Sequence, residues 1–444
     1  MRALLALLLL VCVCTGTQAR TITHGRFQGV RIVAPSQRVE QFVLLLADGA
    51  EEGARLATTL ASQGALVATI DTRALFAALE RDGAECVSPN GDLENLAHYV
   101  QAMEHLDSYH TPLLIGAGVG APFVYAMLAQ SPADTFAGGM SVRFCPQLAL
   151  RKPLCEGQHL KYESRARNTL TPARLERPWK VLGVAPAACA DAARTFAAQA
   201  GAPIEPVDAT SLSARVASAY TQLASGATPR TGGARPLADL PLIEVPSAVA
   251  GDTFAVMLSG DGGWAGLDKE VARAVAAAGI PVVGFDSLRY FWTKRTPEDL
   301  ARDLGRVVRT YVQLWRRPRV VVIGYSRGAD VVPFGINRLD AATRSRVSSV
   351  VLIGLTKTAS FEFHVGNWIG LGARGALPIA PEMAKLRLET VVCIQGADDA
   401  ESTCGAYANT AARVVKLPGS HHFNGDYPGL ASTIVREIKA LQGR

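Results

Sequence analysis

One segment occurs twice in this sequence, and the repetition limits the possible folds more than any other feature. Residues 114–125 (LIGAGVGAPFVY) and 322–333 (VIGYSRGADVVP) each join an apolar run to a glycine-rich turn and a helix-like segment. Three pairs of residues share an offset of roughly 210 positions: Asp48 and Asp261, Gly64 and Gly279, and Gly118 and Ser326. A common offset over several elements indicates duplication of a whole domain, in keeping with a length of 444 residues.

Both halves alternate short β-branched runs with segments of helical periodicity. This alternation predicts a mainly parallel sheet that is covered by helices on both faces. A stretch rich in Gly, Pro and polar residues lies between the halves and is typical of a linker. We therefore predict an α/β protein with a first domain over 20–224, a linker over 225–247 and a second domain over 248–444.

The first 19 residues have the pattern of a secretory signal peptide. Met1-Arg2 gives a basic start, an apolar run follows, and small residues precede the expected cleavage site after Ala19. The run is too short to span a bilayer. The sequence thus predicts export to a periplasm. The net charge of +6 is spread along the chain without a long Lys/Arg run, which argues against nucleic-acid binding.

Six cysteines remain once the predicted signal peptide is removed. An even number in an oxidising compartment favours disulfides over metal sites or reactive thiols. The local pairs Cys145–Cys155 and Cys393–Cys404 are plausible, which leaves Cys86 and Cys189 as a third pair. Spacing alone does not decide this connectivity.

The stretch Gly324–Gly328 (GYSRG) fits the G-x-S-x-G nucleophile elbow. The pentapeptide is common by chance, but here it follows the apolar run 320–323 and precedes a helical pattern. That context is the one in which a serine is presented at the top of an α/β-hydrolase sheet. We therefore predict that Ser326 is a catalytic nucleophile in the second of two tandem α/β-hydrolase-like domains.

A nucleophilic serine needs a histidine base and an acid, and α/β-hydrolases supply them in the order Ser, acid, His. The spacing Gly-x-x-Asp from Gly396 selects Asp399 as the acid, with Asp398 as the alternative and Glu401 third. In the next loop we prefer His422 as the base and keep His421 as the alternative. The adjacent histidines lack the further ligands of a metal site, and no metal or cofactor is predicted.

The glycine-rich turn after the first strand of the second half is the predicted oxyanion hole. Backbone N–H groups of Asp261, Gly262 and Arg327 are the candidate donors. The first half has Gly118 in place of the serine and no histidine at the matching position. We therefore predict that the first half is a degenerate copy that is unable to perform triad chemistry.

The second half resembles the VirJ/AcvB family of exported bacterial virulence-associated proteins. The motifs that carry the resemblance are 258-LSGDGGWAGLD-268, 284-GFDSLRYFWTKRTPE-298, 323-IGYSRGADVVPF-334 and 418-PGSHHFNGDY-427. The two-half layout resembles the longer AcvB-type members. The resemblance implies a periplasmic α/β-hydrolase that releases the amino acid from lysyl- or alanyl-phosphatidylglycerol, and it also implies a link to secretion in some members.

Such a substrate carries an ammonium group and a lipid. We expect Asp330 or Asp286 to hold the ammonium group, and an aromatic insertion over 360–377 to meet the membrane surface. Alternative functions are a general esterase or thioesterase, or a non-catalytic assembly factor with a secretion-system partner. A nucleophile-directed probe separates the catalytic functions from the last one.

Overall fold

The structure, a computed structural model, describes residues 20–442 apart from 84, 132–134, 157–158, 165–167, 185–186, 209, 228–236, 265 and 364–374. The predicted signal peptide and much of the predicted linker lie outside the described residues. The chain divides into two compact units. One comprises the chain up to Ala97 with Thr111–Ser131 and Phe136–Ala227, and the other comprises His98–His110, Pro132–Thr135 and the chain from Thr228.

The chain up to Ala227 contains nine described strands and six described α-helices. The strands are β1 Arg20–His24, β2 Phe27–Val33, β3 Gln41–Ala47, β4 Ala65–Asp71, β5 Leu113–Ala117, β6 Gly138–Phe144, β7 Tyr162–Ser164, β8 Thr169–Leu170 and β9 Trp179–Val184. The helices are α1 Ala50–Ala61, α2 Thr72–Glu80, α3 Asn90–Met103, α4 Gly120–Gln130, α5 Ala190–Gln199 and α6 Leu212–Ala227, with a 3₁₀ turn at Ala187–Cys189.

The sheet of the first unit has seven strands in the order β1-β2-β4-β3-β5-β6-β9. The strands from β4 to β9 run parallel, whereas β1 and β2 are antiparallel additions at one edge. Every residue of β3 and β5 is buried, as expected for central strands covered on both faces.

The second half repeats this plan. Its strands are β10 Leu242–Val245, β11 Thr253–Leu258, β12 Val282–Phe285, β13 Arg319–Tyr325, β14 Val347–Ile353, β15 Thr358–Ala359, β16 Leu377–Pro378, β17 Val391–Gly396 and β18 Arg413–Leu417. Its helices are α7 Gly266–Ala277, α8 Ser287–Phe291, α9 Pro297–Leu314, α10 Arg327–Asn337, α11 Ala341–Arg344 and two more over Ala380–Met383 and Tyr427–Gln442. Short 3₁₀ turns cover Leu388–Thr390, Cys404–Tyr407 and Phe423–Gly425.

The main sheet of the second unit has the strand order β10-β12-β11-β13-β14-β17-β18. All neighbours are parallel except β10, which pairs antiparallel with β12. The central strand β13 lies between β11 and β14, with Gly324 opposite Leu258 and Tyr325 opposite Ile353. Ser326 therefore leaves the sheet at the carboxyl edge, where α/β proteins place their sites.

Successive side chains of β13 point to opposite faces of the sheet, and each face has its own hydrophobic cluster. Val320 and Val322 pack with the cluster on one face, and Val321 and Ile323 pack with the cluster on the other. Helix α9 covers the first of these clusters. It starts at Pro297 behind a capping box in which Thr296 and Asp299 accept each other's backbone N–H groups.

The predicted fold class is confirmed. The two seven-stranded sheets share the same order over six strands, β2-β4-β3-β5-β6-β9 and β10-β12-β11-β13-β14-β17, and differ in the seventh, which is β1 in the first sheet and β18 in the second. The first copy lacks the serine. The antiparallel edge strands β1, β2 and β10 were not predicted, because short edge strands carry a weak periodic signal. Helix α8 was also missed, because it is only five residues long.

The described cysteines form three disulfides, one of which matches a predicted pair. Cys393 and Cys404 are bonded as expected, and they close a loop with a sequence separation of 11. The predicted pair Cys145–Cys155 is wrong: the bonds are Cys145–Cys189 and Cys86–Cys155.

The topology explains this correction. Cys145 follows β6 and Cys189 follows its parallel neighbour β9, so the two residues leave the sheet at the same edge. A separate backbone bridge joins Val87 to Leu154 and brings Cys86 next to Cys155.

A helix that crosses a membrane needs both sufficient length and apolar character. None of the described helices meets both requirements.

Candidate active site

Ser326 occupies a strained turn between β13 and α10. Its backbone has φ 51° and ψ −118°, a conformation that costs a residue with a side chain roughly 1–3 kcal/mol. Its N–H donates to the carbonyl of Ile353 at 2.8 Å. A Cβ on Gly324 would lie 2.5 Å from the carbonyl carbon of Gly328, so this close approach of strand and helix requires glycine. The predicted elbow is present, and its serine is partly exposed.

Asp399 and His421 meet beside this elbow. Asp399 follows β17, and one of its carboxylate oxygens lies 2.8 Å from Nδ1 of His421. The other oxygen accepts the backbone N–H of Glu401 at 3.2 Å. The carboxylate is 3% exposed and the histidine side chain 26% exposed. A buried carboxylate that orients a partly exposed histidine is the arrangement that a catalytic base requires.

The contact with Asp399 is made by His421, the alternative base of the sequence analysis, and not by the preferred His422. His422 does not contact Asp399; its Nδ1 lies 3.0 Å from the hydroxyl of Tyr325. The two imidazole rings are perpendicular, with an interplanar angle of 89°. The turn begins at Gly419, whose φ of +96° reverses the chain, and successive side chains then project in different directions. Asp398, the alternative acid, is exposed and has no contact with either ring.

The ring of His421 lies directly against the strand ends that carry Ser326. Its Cε1 is 2.6 Å from where a Cβ on Gly354 would be, and Gly354 follows the residue that accepts the Ser326 N–H. Its ring centroid is 5.5 Å from that of Tyr325. Within the described residues, Ser326 Oγ and His421 Nε2 do not form a hydrogen bond. Such catalytic bonds often tighten only when substrate binds.

The glycine turn after β11 lies beside Ser326, since a Cβ on Gly260 would be 3.6 Å from the Cβ of Ser326. Gly263 donates its N–H to the carbonyl of Gly260 at 3.2 Å and has φ +79°. Asp261 and Gly262 form the partly exposed tip of this turn, and Arg327 begins helix α10 next to the serine. The three residues predicted to supply oxyanion donors thus lie at the same carboxyl edge as Ser326.

Asp286 holds this glycine turn in place through its carboxylate. Its buried carboxylate accepts the N–H of Arg289 at 3.1 Å, and it also accepts a backbone hydrogen bond from Trp264. One of its oxygens is 3.1 Å from where a Cβ on Gly263 would lie. Burial raises the pKa of Asp286, and the Arg289 charge opposes that effect. The contacts of Asp286 are therefore those of a group that fixes the turn.

Comparison with known sequences identifies one similar family. Residues 252–442 match the model of the VirJ family, described as bacterial virulence protein. These residues are called the VirJ-like region below. The matched region includes Ser326, Asp399 and both histidines. No curated protein matches the chain in sequence.

Solved structures similar to one half of the chain include a lidless α/β serine hydrolase, XC6422 from Xanthomonas campestris (17% identity, TM-score 0.31, 45% of this chain and 88% of that one). Others are Est1E from Butyrivibrio proteoclasticus (14%, 0.32, 45% and 94%) and the poly(3-hydroxybutyrate) depolymerase LpqC from Bordetella parapertussis (14%, 0.31, 43% and 82%). The fold itself is established by the strand order of the second sheet and by the elbow at Ser326.

Asp330 is buried in the VirJ-like region, in the first turn of helix α10 after Ser326. One of its oxygens accepts the Thr356 N–H at 2.8 Å, and the other accepts the Thr356 hydroxyl at 2.9 Å. Burial raises the pKa of Asp330 to about 7, against the effects of Thr356 and Arg327. Asp330 and Asp286 were both predicted to hold a substrate ammonium group. Each is 8% exposed and engaged by protein donors, so neither presents an open carboxylate.

Arg327 links the elbow to the start of the predicted aromatic insertion. Its guanidinium donates to the carbonyls of Ser360 at 3.3 Å and Glu362 at 3.1 Å. Burial lowers the pKa of this guanidinium, and Asp261 and Asp330 oppose the shift. Phe361 packs against aromatic rings of the core, while residues 364–374 of the insertion lie outside the described residues.

The first unit retains the elbow without a serine. Gly118 has φ +58°, and its N–H donates to the carbonyl of Val142 at 3.2 Å, which parallels the bond from Ser326 to Ile353. A Cβ on Gly118 would lie 2.8 Å from a carboxylate oxygen of Asp48. Asp48 thus occupies the space that a nucleophile would need. In the described part of the chain, no group of three or more His, Cys, Asp or Glu residues is placed to hold a metal ion.

We expect Asp330→Asn to flatten the pH dependence of stability. The unfolded carboxyl group ionises near pH 3.9, whereas the folded one keeps its proton until about pH 7. The folded state therefore loses stability relative to the unfolded state as pH rises from about 4 to about 7. The upper bound of the loss is about 4 kcal/mol. Asn retains an acceptor for the Thr356 N–H.

Denaturant titrations at pH 5 and pH 8 measure this effect. The variant should gain stability relative to the wild type at pH 8 and match it more closely at pH 5. An unchanged difference between the two pH values would show that Asp330 titrates normally. An increase in KM for a cationic ester would instead support the predicted ammonium contact.

Proposed function

We propose that this protein is a serine hydrolase in which Ser326, His421 and Asp399 of the VirJ-like region form the catalytic triad. One observation carries the proposal: a strained elbow serine lies at the same sheet edge as a histidine oriented by a buried carboxylate. The order of the three residues along the chain is also that of α/β-hydrolases.

In this mechanism, His421 Nε2 takes the proton from Ser326 Oγ as the oxygen attacks the ester carbonyl. Asp399 holds the other ring nitrogen and stabilises the imidazolium ion. Backbone N–H groups of the turn at Asp261–Gly262 and of Arg327 bind the developing oxyanion. The ester C–O bond breaks, His421 returns the proton to the leaving alcohol, and water then releases the acyl group from Ser326.

The proposed substrate is an aminoacyl ester of phosphatidylglycerol. The VirJ match and the motif resemblance support this choice, and an aminoacyl ester is activated enough that a serine triad needs no cofactor. Since Asp330 and Asp286 are buried, we propose that the partly exposed Asp261 holds the substrate ammonium group. The negative charge of Asp261 raises the pKa of both Arg327 and His422, as expected for a carboxylate that lies close to these two groups.

The proposed location is the periplasm, with transient contact to the membrane surface where the lipid substrate resides. The three disulfides fit an exported protein, because such bonds persist in oxidising compartments. The amino-terminal pattern that predicts a signal peptide supports the same location.

Purified protein and vesicles test the substrate. Vesicles that contain lysyl- or alanyl-phosphatidylglycerol should release free amino acid, and the Ser326→Ala variant should release none. A p-nitrophenyl ester panel serves as the comparison, since a general esterase or thioesterase prefers simple acyl groups. Release from the simple esters with no release from the aminoacyl lipid would refute the substrate and retain the triad. No turnover of either substrate class would refute the hydrolase.

A further inference from the structure

Tyr325 connects the nucleophile elbow to the histidine loop. It directly precedes Ser326 and is 6% exposed. Its hydroxyl lies 3.0 Å from Nδ1 of His422 and 3.4 Å from the backbone carbonyl of His421. One buried hydroxyl therefore contacts both residues of the histidine pair. The same ring fills the space beside Gly260, where a Cβ would lie 3.1 Å from it, so it also borders the oxyanion turn.

Both partners of this contact are uncharged. Burial raises the pKa of Tyr325 above its usual value, so the phenol stays protonated. Partial burial, together with the charge of His421, lowers the pKa of His422, which favours a neutral ring. The contact is thus a hydrogen bond between two neutral groups. It places no second positive charge beside His421 when that ring becomes protonated.

We propose that Tyr325 and His422 act together as positioning residues that set the distance between His421 and Ser326. This inference rests on the proposed function. The two partners are the chain neighbours of the nucleophile and the base, so a single hydrogen bond joins the two loops that must approach each other. His421 has its own bond to Asp399, which orients the ring but does not attach the loop to the elbow.

The effect of breaking this bond should be catalytic rather than structural. A misplacement of about 1 Å in a catalytic group can cost about 10²-fold in rate. We therefore expect Tyr325→Phe to lower kcat by about 10- to 100-fold with little change in KM. The phenyl ring keeps its packing against His421 and the oxyanion turn, so the unfolding temperature should change little.

Variants at the other partner sharpen the test. His422→Leu removes the ring nitrogen that bonds to Tyr325 and should lower kcat by a similar factor. His422→Asn places an amide oxygen near the position of Nδ1 and should recover most of the rate. The Tyr325→Phe/His422→Leu double variant should be no slower than either single variant, because both changes remove the same interaction.

Tyr311→Phe is the matched control. Tyr311 is fully buried in the same domain, and its hydroxyl donates to Glu244 at 2.6 Å. This control should lose stability without loss of kcat. The readouts are kcat and KM on the best ester substrate, the rate of fluorophosphonate labelling of Ser326, and the unfolding temperature.

The outcomes separate this inference from the proposed function. A wild-type protein that neither turns over esters nor labels at Ser326 overturns both. An active wild type with Tyr325→Phe and His422→Leu within twofold of its kcat overturns the positioning role alone. The positioning role is also overturned if the two single-variant losses of kcat multiply in the double variant. An equal loss of kcat in Tyr311→Phe overturns it as well. Since His422 lies on an exposed loop, its variants remain informative even if Tyr325→Phe does not fold.

Discussion

Replacing Ser326 by alanine is expected to lower kcat for ester hydrolysis by at least about 10⁴-fold. Removal of a triad nucleophile leaves only the rate enhancement of binding and of the oxyanion hole. The unfolding temperature should stay close to that of the wild type, because in the described structure Ser326 Oγ makes no hydrogen bond. Steady-state hydrolysis and thermal unfolding of the same preparations measure both effects.

Ser326→Gly provides a sharper form of this prediction. Glycine adopts φ 51° and ψ −118° at much lower cost than serine, so this variant should be as inactive as alanine and more stable by about 1 kcal/mol. Gly118 in the first unit is the natural equivalent. Ser432→Ala, on the exposed surface of the last helix, is the control and should be fully active. An active Ser326→Gly variant would contradict the nucleophile assignment.

The second large effect distinguishes the adjacent histidines. We expect His421→Ala to lower kcat by about 10³- to 10⁴-fold, because it removes the base. His422→Ala should cost about 10- to 100-fold, because it removes only the contact with Tyr325. Both variants lose one imidazole from the same loop, so each is the matched control of the other. Parallel measurements of kcat at one pH give the comparison.

Asp399→Asn completes this comparison. The amide keeps the size of the side chain but no longer stabilises the imidazolium ion, and in a serine protease triad the corresponding change costs about 10⁴-fold. Asp398→Asn, at the exposed neighbouring position, should have little effect. If His422→Ala proved more damaging than His421→Ala, the proposed triad would be wrong.

The fold was largely predictable because its signals are local. The buried strands are short apolar runs, and the elbow requires Gly324 and Gly328 within five residues of sequence. The duplicated copy added an internal comparison, since Gly118 adopts the same left-handed region of φ as Ser326. Short edge strands and the five-residue helix α8 carry too little periodicity to be seen in this way.

The details of the site depended on contacts between distant parts of the chain. His421 and His422 have the same chemistry, and only the turn at Gly419 decides which ring reaches Asp399. Asp286 follows a strand and Asp330 follows the elbow, and both therefore resemble binding residues. Their hydrogen-bond donors include Trp264 and Thr356, which approach them only in the folded domain.

The cysteine pairing failed for a related reason. Cys145 and Cys155 are close in sequence, but pairing follows neighbouring strands, and β6 lies beside β9. The position of Tyr325 in G-x-S-x-G is variable in the motif, so the pattern gave no reason to single it out. The adjacent aromatic residue and the two histidines downstream were the available signal for its contact with the histidine loop.

Covalent labelling of Ser326 tests the central claim most directly. The full-length protein should react with a fluorophosphonate to give one adduct per chain, and peptide mass spectrometry should locate that adduct on Ser326. The adduct should be absent in Ser326→Ala and should form far more slowly in His421→Ala. A wild-type protein that remains unlabelled, or that carries the adduct on another serine, would contradict the account.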